Sequence, residues 1–383
     1  MNQSSSNGGN RSGGGDQKSS SCLRKCTVFV LLAALVGAGG ILVWQLLPED
    51  SKTQIQSIFN QTGSDLDSNG QGELAGGNDS GDGTSPAAFA FNRCAANATA
   101  CCNGVESICD SPISDVMFAT VHNAMSSSED GFFIAANNEF SLESSLEAGY
   151  RGINIDIGKC NGDYKLIHTS CLLGQRDPVE VFTNINTFLD DNPTEVLIVT
   201  LQIAEDTADL QEIYAIMQGV DGWVDRMYVH NPDAATWPTM QDLITANQRI
   251  VFFHFNGPRC SQVTCPPGFH DWFTYAVEAE FSFNSVEEVQ DVAYACAAGR
   301  GNGGRRDFFG INAFLSLPSE RAAEQLNAKS FLNGYIDDCT NFNDGLDVNL
   351  VFVDFWNQGD LVEVVQLRNE ALGKSRRTRL RLH

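Results

Sequence analysis

The stretch GINIDIGKCNGDYKLIHTSC, residues 152–171, joins an apolar, β-prone run to a second short run that ends in a histidine. Earlier in the chain, residues 118–125 read FATVHNAM, another apolar run with a histidine directly after it. The chain has only six histidines in 383 residues, and a histidine at the C-terminal end of a strand can reach a pocket. The sequence therefore predicts that His122 and His168 face one another across a site.

Near-continuous apolar runs recur through residues 91–368, as expected for strands buried on both faces of a parallel sheet. Helical patterns with start and stop signals separate them: SLESSLEAG, DPVEVFTNINTFLDDNP and SERAAEQLNAKSFLNG. This alternation predicts an α/β fold, an irregular TIM-type (β/α) barrel, with an open doubly wound sheet as the runner-up. No GxGxxG follows a predicted strand, which argues against a nucleotide-binding version. The predicted strands are residues 116–121, 152–157, 164–168, 195–203, 249–255, 279–283, 308–314 and 349–355.

Polar residues follow or end several of these predicted strands, where a TIM barrel carries its chemistry. We expect His254 to be structural and Asp354 to brace the barrel or a loop. Arg305 and Arg306, in a Gly-rich stretch, are interpreted as solvated side chains. The set at the strand ends is His122, Asn123, Asn154, Asp156, His168, Gln202, His254 and Asp354.

The first ninety residues differ in composition from the rest. Residues 1–26 begin with a segment rich in Gly, Ser and Asn. This composition predicts a disordered cytoplasmic N-terminus. Residues 27–47 are uncharged and about as long as the ~20 residues of a transmembrane helix. Basic residues precede this run and acidic residues follow it, so it predicts a single-pass signal anchor of type II orientation. A cleaved signal peptide is the alternative, and both place the later domain in the lumen or outside the cell.

Residues 48–90 predict a flexible stalk, and residues 369–383 form a basic tail. Glycosylation sequons at Asn60, Asn78 and Asn97 lie in or beside the stalk. Of the 12 cysteines, two precede the predicted anchor, and the even remainder of ten suits disulfides in an exported domain. Cys160 with Cys171 and Cys260 with Cys265 are the two preferred pairs. A metal site is the alternative for the cluster Cys94, Cys101, Cys102 and Cys109, but its spacing fits no zinc pattern.

The formal net charge of −24 excludes nucleic acid as an expected partner, because phosphate backbones are bound by basic faces. Two histidines across a pocket suit a phosphodiester, since one takes a proton from the attacking hydroxyl and the other gives one to the leaving oxygen. The developing negative charge also requires an arginine, a lysine or a metal ion.

The segments ATVHNAM, LEAGYRGINIDIGKCNGDYKLIH and FLDDNPTEVLIVTLQI resemble the catalytic X region of phosphatidylinositol-specific phospholipase C and the wider family of phospholipase C-like phosphodiesterases, which are TIM barrels. The resemblance covers residues 110–368 and is looser in the second half. It implies that His122 is the general base for the inositol 2-hydroxyl and His168 the general acid for the diacylglycerol oxygen. It further implies a phospholipid or glycolipid substrate and a cyclic inositol phosphate product.

The resemblance also implies a metal site, at which Asn123 and Asp156 match calcium ligands of the eukaryotic enzymes. Asn154 and Gln202 stand where those enzymes carry glutamates, so any Ca²⁺ binding is expected to be of low affinity. Bacterial metal-free enzymes have an arginine at the position of Gly158. Lys159 beside it is the candidate phosphate-binding cation.

Other functions remain open from the residues. The two histidines can be satisfied core residues without a catalytic role. A metal-dependent glycerophosphodiesterase or sphingomyelinase D-like enzyme needs a carboxylate cluster, which the amides at these positions argue against. A catalytically impaired lipid- or phosphate-binding membrane protein is the main alternative to a phosphodiesterase.

Overall fold

The computed structural model describes residue 94 and residues 100–133, 135–204, 208–301 and 304–380, with side chains described as far as residue 373 in the last range. The predicted cytoplasmic segment, anchor and stalk, residues 1–90, lie outside these ranges, as do the three sequons. In the described part of the chain, no helix is both long and apolar enough to cross a bilayer.

A curled sheet of parallel strands forms the centre of the fold. Eight strands pair in parallel in the order β7-β6-β5-β2-β1-β10-β9-β8. No pairing joins β7 to β8 in the described ranges, so backbone hydrogen bonds do not close the circle there. The strands are β1 Phe118–Val121, β2 Gly152–Cys160, β3 Asp163–Ile167, β4 Gln175–Arg176, β5 Leu197–Ile203, β6 Ile250–Phe255, β7 Phe269–Asp271, β8 Ala276–Glu278, β9 Phe308–Asn312 and β10 Leu350–Val353.

Helices connect most of the parallel strands and cover the outside of the sheet. Short 3-10 turns, Glu106–Ile108 and Ile113–Asp115, precede β1. The helices are α1 Leu142–Glu147, α2 Pro178–Asp191, α3 Leu210–Gln218, α4 Trp223–Arg226, α5 Met240–Thr245, α6 Trp272–Tyr275, α7 Val286–Gln290, α8 Val292–Ala295, α9 Glu320–Leu326, α10 Lys329–Phe342 and α11 Leu361–Leu380. The predicted basic tail therefore continues α11 to Leu380.

Helix α2 illustrates how the sequence forms these elements. Asp177 caps the helix by accepting from the backbone N–H of Val179, and Pro178 occupies the first turn, where its missing N–H costs nothing. Val181, Phe182, Ile185 and Leu189 recur at helical spacing and are buried on one face. This face packs the helix against the sheet.

The structure corrects two of the predicted strands and adds one that was not predicted. Residues 164–168 were expected to belong to the alternating barrel pattern, but β3 pairs antiparallel with β2 as the second arm of a hairpin. Residues 279–283 are not a strand, because β8 ends at Glu278. β7 was not predicted, since three residues are too few to show a periodicity.

The predicted helix SERAAEQLNAKSFLNG is two helices, α9 and α10. Asn327 lies between them, and its side chain donates to the backbone carbonyl of Asp354 at 2.9 Å. Gly334, expected to stop the helix, lies inside α10, where an added Cβ would meet no atom within 4 Å. The interruption between α9 and α10 thus coincides with a tertiary hydrogen bond, which helix propensity alone cannot predict.

All ten described cysteines form disulfides, which confirms both preferred pairs, Cys160–Cys171 and Cys260–Cys265. The cluster for which a metal site was the alternative forms two bridges, Cys94–Cys101 and Cys102–Cys109. Cys296–Cys339 links α10 to the residue that follows α8 and closes the longest loop. These covalent links constrain the unfolded chain and thereby stabilise the fold.

A buried ion pair, Arg151 with Glu195, joins the segments that precede β2 and β5. The Nε–Oε2 distance is 2.6 Å, and the two side chains are 5% and 7% exposed. Arg151 Nη1 also donates to two backbone carbonyls, of Leu146 and Tyr150. Both charges are therefore compensated away from water.

Replacing Arg151 by methionine should lower the free energy of unfolding by about 3–5 kcal/mol, because Glu195 is left buried without its partner. Adding Glu195→Gln should restore much of the loss. Urea unfolding of the single and double variants measures the coupling. The matched control is Lys159→Met, since the exposed Lys159–Glu212 pair should contribute less than about 1 kcal/mol. An equal loss of unfolding free energy in the Arg151→Met and Lys159→Met proteins would contradict the prediction.

Candidate active site

The even-numbered residues of β2 face the inside of the curled sheet. Asn154 and Asp156 alternate with buried isoleucines that pack under the helices, and they pair in register with Thr200 and Gln202 of β5. Asn154, Thr200 and Gln202 line a cavity at the carboxyl ends of the strands. Three predicted site residues are therefore neighbours on adjacent strands.

His122, the first residue after β1, lines the same cavity. Its Nδ1 lies 2.8 Å from Asp354 Oδ1, and Asn137 Nδ2 donates to both oxygens of that carboxylate at 3.1 and 3.2 Å. The imidazole also stacks on the ring of Phe314, with centroids 3.7 Å apart. A carboxylate accepts the Nδ1 hydrogen, so Nε2 is the ring nitrogen that can exchange a proton with a substrate.

Asn123 has a left-handed backbone, with φ of 44°, which asparagine tolerates better than most residues. Its backbone N–H donates to Asn154 Oδ1 at 3.0 Å. In the amide orientation that satisfies both neighbours, Nδ2 donates to the two oxygens of Asp156 at 3.2 Å, and Oδ1 accepts from His122 Nε2 at 3.3 Å. Asn123 therefore connects the histidine to the buried acid.

Both acids of the site are buried. Desolvation, opposed by charge on His122, raises the pKa of Asp156 to about 7. Desolvation also raises the pKa of Asp354, against the lowering effect of its bonds to His122 and Asn137. Of the two acids, Asp156 is thus partly protonated near neutral pH.

His168 follows the hairpin strand β3 and is only partly exposed. Desolvation, with a smaller contribution from charge on His122, lowers the pKa of His168 to about 4, while a hydrogen bond with the backbone of Ala135 opposes this. The two histidines are therefore close enough to interact electrostatically. His168 is not among the residues that line the cavity, and it approaches His122 from a hairpin, not from the end of a parallel strand.

The four predicted metal ligands do not present converging free oxygens. Asn154 Oδ1 is occupied by a backbone N–H, its Nδ2 donates to Thr200, and Asn123 turns its oxygen to His122. Asp156 is the single carboxylate, hydrogen-bonded to an amide, and Gln202 adds a neutral side chain. Ca²⁺ requires six to eight oxygens, several of them charged. As arranged, this donor set does not fit Ca²⁺.

Lys159 lies on the outer face of β2, away from the cavity. Its Nζ is 2.9 Å from Glu212 Oε2 and 4.7 Å from the ring centroid of Tyr164. A Cβ at Gly158 would lie 2.7 Å from Ile167 Cδ1, so a larger residue at this position would require the Ile167 side chain to shift. The structure therefore brings no cation to the cavity from β2, all of which it describes.

Arg300, which sequence reasoning did not single out, lines the cavity from the opposite wall. Its Nη2 lies 3.3 Å from Glu278 Oε2, and its guanidinium carbon is 4.3 Å from the ring centroid of Phe281. Its Nε is buried and has no hydrogen-bond partner in the described ranges. Glu278 is held in turn by Trp272 Nε1 and Asn312 Nδ2. The sequence feature that could have pointed to Arg300 is its position at the start of a Gly-rich stretch, residues 300–304.

Of the remaining residues named from the sequence, His254 and Arg305 lie away from the cavity, whereas Asp354 belongs to the site. His254 points outward from β6, because Phe255 is the residue of that strand end that lines the cavity. Arg305 pairs with Asp307 at 2.7 Å. Asp354, expected only to brace the barrel, contacts His122 directly.

The cavity at His122 is small, about 40 Å³. Arg300 and Phe281 separate it from a groove of about 740 Å³, whose walls also include Arg259 and Phe273. A head group larger than a few waters therefore requires these side chains to move or must extend into the groove. The cavity wall thus carries one imidazole and one guanidinium, and a second imidazole, that of His168, lies near enough for its pKa to respond to charge on His122.

Comparison with known proteins gives the following similarities. The PI-PLC X family model, described as PI-PLC X 1, matches residues 108–369. An uncharacterized secreted protein of Arthroderma benhamiae is 28% identical over 186 residues, which are 47% of this chain and 40% of that protein. A PI-PLC X domain-containing protein of Arabidopsis thaliana is 27% identical over 128 residues, 30% of this chain and 29% of that protein. The matches thus span well under half the length of these relatives.

Among solved structures, the phosphatidylinositol-specific phospholipase C of Listeria monocytogenes is 18% identical, with a TM-score of 0.48 over 68% of this chain and 95% of that chain. A structure of the phosphatidylinositol-specific phospholipase C of Staphylococcus aureus is 12% identical, with a TM-score of 0.46 over 67% of this chain and 93% of that chain.

Replacing Asp156 by asparagine should stabilise the fold at pH 8. In the unfolded chain this carboxyl ionises near pH 4, whereas in the folded state its pKa is about 7, so stability falls as the pH rises from about 4 to about 7. Each pKa unit corresponds to roughly 1.4 kcal/mol, so the gain at pH 8 should be a few kcal/mol, with little gain at pH 4. Urea unfolding at pH 4, 6 and 8 measures it.

The control is Asp163→Asn, an exposed position on the hairpin. An Asp156→Asn protein no more stable than the parent at pH 8 would show that the carboxyl is not held neutral by burial.

Proposed function

We infer that this chain, which belongs to the PI-PLC X family, is a phosphoric diester hydrolase that acts on an inositol phospholipid or a related phosphodiester. The observation that carries the proposal is the hydrogen bond of 2.8 Å between His122 and the buried Asp354 at the wall of a polar cavity. A buried carboxylate beside a histidine orients the ring and stabilises its charged form.

In the proposed reaction, the neutral form of His122 releases Asn123 Oδ1, and its free Nε2 takes the proton of the inositol 2-hydroxyl as the hydroxyl oxygen attacks phosphorus. The bond from phosphorus to the diacylglycerol oxygen breaks, and His168 gives that oxygen a proton. The products are a cyclic inositol phosphate and diacylglycerol, and water can later open the ring by the reverse proton transfers. Asp354 is a positioning residue, because it acts through His122.

The low pKa of His168, about 4, leaves it mostly neutral in the free protein. A negatively charged phosphodiester beside it favours the protonated imidazole and raises that pKa. Substrate binding therefore supplies the charge that loads the acid with its proton.

Arg300 is the proposed counter-charge for the phosphate. It reaches the cavity with an Nε that has no partner among the described residues, and Glu278 and the Phe281 ring hold its side chain. A guanidinium at this wall supplies positive charge next to the negative charge that develops on the phosphate. The proposed reaction uses no Ca²⁺, because the side-chain oxygens of the predicted ligands are turned to other partners.

Exposed apolar side chains near His168 support a lipid as substrate. Phe133 is 72% exposed and lies two residues before Ala135, whose backbone contacts His168. Leu172 is 74% exposed and lies four residues after it. Apolar side chains at this edge can enter a lipid surface where the diacylglycerol would leave.

A catalytically impaired lipid- or phosphate-binding protein is the second candidate. The cavity of about 40 Å³ favours it, since an inositol ring does not fit without movement of its walls. Both candidates use the same cavity and differ only in turnover.

Asp354→Asn should lower kcat on phosphatidylinositol vesicles by roughly 10³–10⁴-fold, because the neutral amide no longer stabilises the charged imidazole. His122→Ala should lower it at least as far, and a chelator should have no effect. Release of cyclic and acyclic inositol phosphate measures turnover, and the exposed Asp338→Asn on α10 is the control.

Vesicle binding is measured in parallel by flotation. If the folded parent protein binds vesicles but does not turn over the lipid, the proposal of a hydrolase is wrong and the lipid-binding protein takes its place. Full activity of His122→Ala would contradict both the mechanism and the assigned site.

Phe133→Ser combined with Leu172→Ser should reduce turnover on vesicles by tenfold or more, because less apolar surface enters the lipid. Turnover of a monomeric, short-chain substrate should stay unchanged. Phe342→Ser is the matched control, since Phe342 is 46% exposed at the C-terminal end of α10, which points to the opposite end of the strands. An equal loss with the soluble substrate would mean that the pair shapes the site and does not bind membrane.

A further inference from the structure

The loop between β6 and β7, residues 256–268, packs a disulfide against a buried histidine outside the proposed active site. His254 lies near the end of β6, is 1% exposed, and faces away from the catalytic cavity. Cys260 and Cys265 form the disulfide, and Cys260 is exposed to solvent. The proposed reaction uses none of these three residues.

The hydrogen bonding of His254 is poor for a buried imidazole. Its Nδ1 has no partner in the described part of the chain. Its Nε2 faces the two sulfur atoms, at 3.4 Å from Cys260 Sγ and 3.7 Å from Cys265 Sγ. Sulfur is a weak hydrogen-bond acceptor, and a buried polar group without good partners costs free energy. The oxidised structure therefore offers no account of why a histidine is buried here.

The distances match those of a metal site. Zinc binds histidine nitrogen at about 2.0–2.1 Å and cysteine sulfur at about 2.3 Å, so a tetrahedral angle places nitrogen and sulfur about 3.6 Å apart. Both measured nitrogen–sulfur distances lie close to this value. The sequence spacing, C-x4-C, is also within the range of zinc sites. Only the two sulfurs would have to move apart.

We propose that a dithiol reductant converts this loop into a zinc site formed by His254 Nε2, Cys260 Sγ and Cys265 Sγ. The protein disulfide takes up two electrons and two protons, and the reductant is oxidised to its own disulfide. Zn²⁺ then displaces the two thiol protons and binds both thiolates and the neutral imidazole. Water takes the fourth position, because Cys260 lies at the surface.

The ligand types determine which ions the site accepts. Two thiolates and one imidazole suit Zn²⁺ and its substitute Co²⁺, whereas Ca²⁺ and Mg²⁺ require oxygen ligands. The His254 imidazole binds metal through Nε2 in its neutral form, with the two thiolates completing the protein ligands.

The experiment opens the Cys260–Cys265 bridge with dithiothreitol under argon, removes the reductant, and dialyses the folded protein against Zn²⁺. Peptide mapping after alkylation identifies the fraction in which this bridge alone is open. We expect one zinc per reduced chain, none on the oxidised chain, and thiolate-to-metal absorption in the near ultraviolet when Co²⁺ replaces Zn²⁺.

Two variants test the ligands by stoichiometry and by the Co²⁺ spectrum. Cys260→Ser with Cys265→Ser should abolish binding, and His254→Gln should weaken it at least tenfold. The matched control is Cys160→Ser with Cys171→Ser, which removes a different disulfide of the described chain and should leave binding unchanged.

Three results would overturn the proposal, all of them independent of hydrolase activity. The first is no stoichiometric zinc on the reduced, folded chain. The second is unchanged binding in the Cys260→Ser, Cys265→Ser protein or in His254→Gln. The third is a bridge that resists reduction until circular dichroism reports unfolding.

Discussion

The parallel pairing of β1 with β10 determines where the His122–Asp354 pair lies. The register runs from Phe118 opposite Leu350 to Val121 opposite Val353, and the backbone N–H of His122 then donates to Val353 at 2.9 Å. The next residue along each strand is therefore a member of the His122–Asp354 pair. A shift of one residue would turn one of the two side chains to the other face of the sheet. β1 and β10, the first and last strands along the chain, are thus neighbours in the sheet, and the candidate site forms where they end.

The surroundings of this pair are polar but carry little free charge. Asn137 binds the Asp354 carboxylate, Asn327 binds its backbone carbonyl, and Asn123 joins His122 to Asp156. Amides satisfy buried groups without adding charge that would have to be desolvated. Carboxylates at these positions could bind a metal ion, whereas the amides form hydrogen bonds. The positive charge at the cavity comes from Arg300 on the opposite wall.

Much of the fold was predictable because burial on both faces leaves a continuous apolar signal. The runs that became β1, β2, β5, β6, β9 and β10 were all identified. β7 was missed because it has three residues, and the direction of β3 depends on a hairpin closed by Cys160–Cys171. The division of the predicted helix at Asn327 was not predictable either, since its side chain bonds to a strand end that follows later in the chain.

The sequence by itself determined the residue types available to the site: two histidines after apolar runs, one acid in β2, and amides at the other positions. The sequence also determined which residues of β2 share a face, since alternate residues of a strand point to opposite faces of the sheet. Only the tertiary structure decided the partners, because Asp354 reaches His122 through strand register, Lys159 turns outward to Glu212, and Arg300 arrives from a loop. A local pattern reports which side of an element a residue occupies, whereas the identity of the group opposite depends on how distant segments pack.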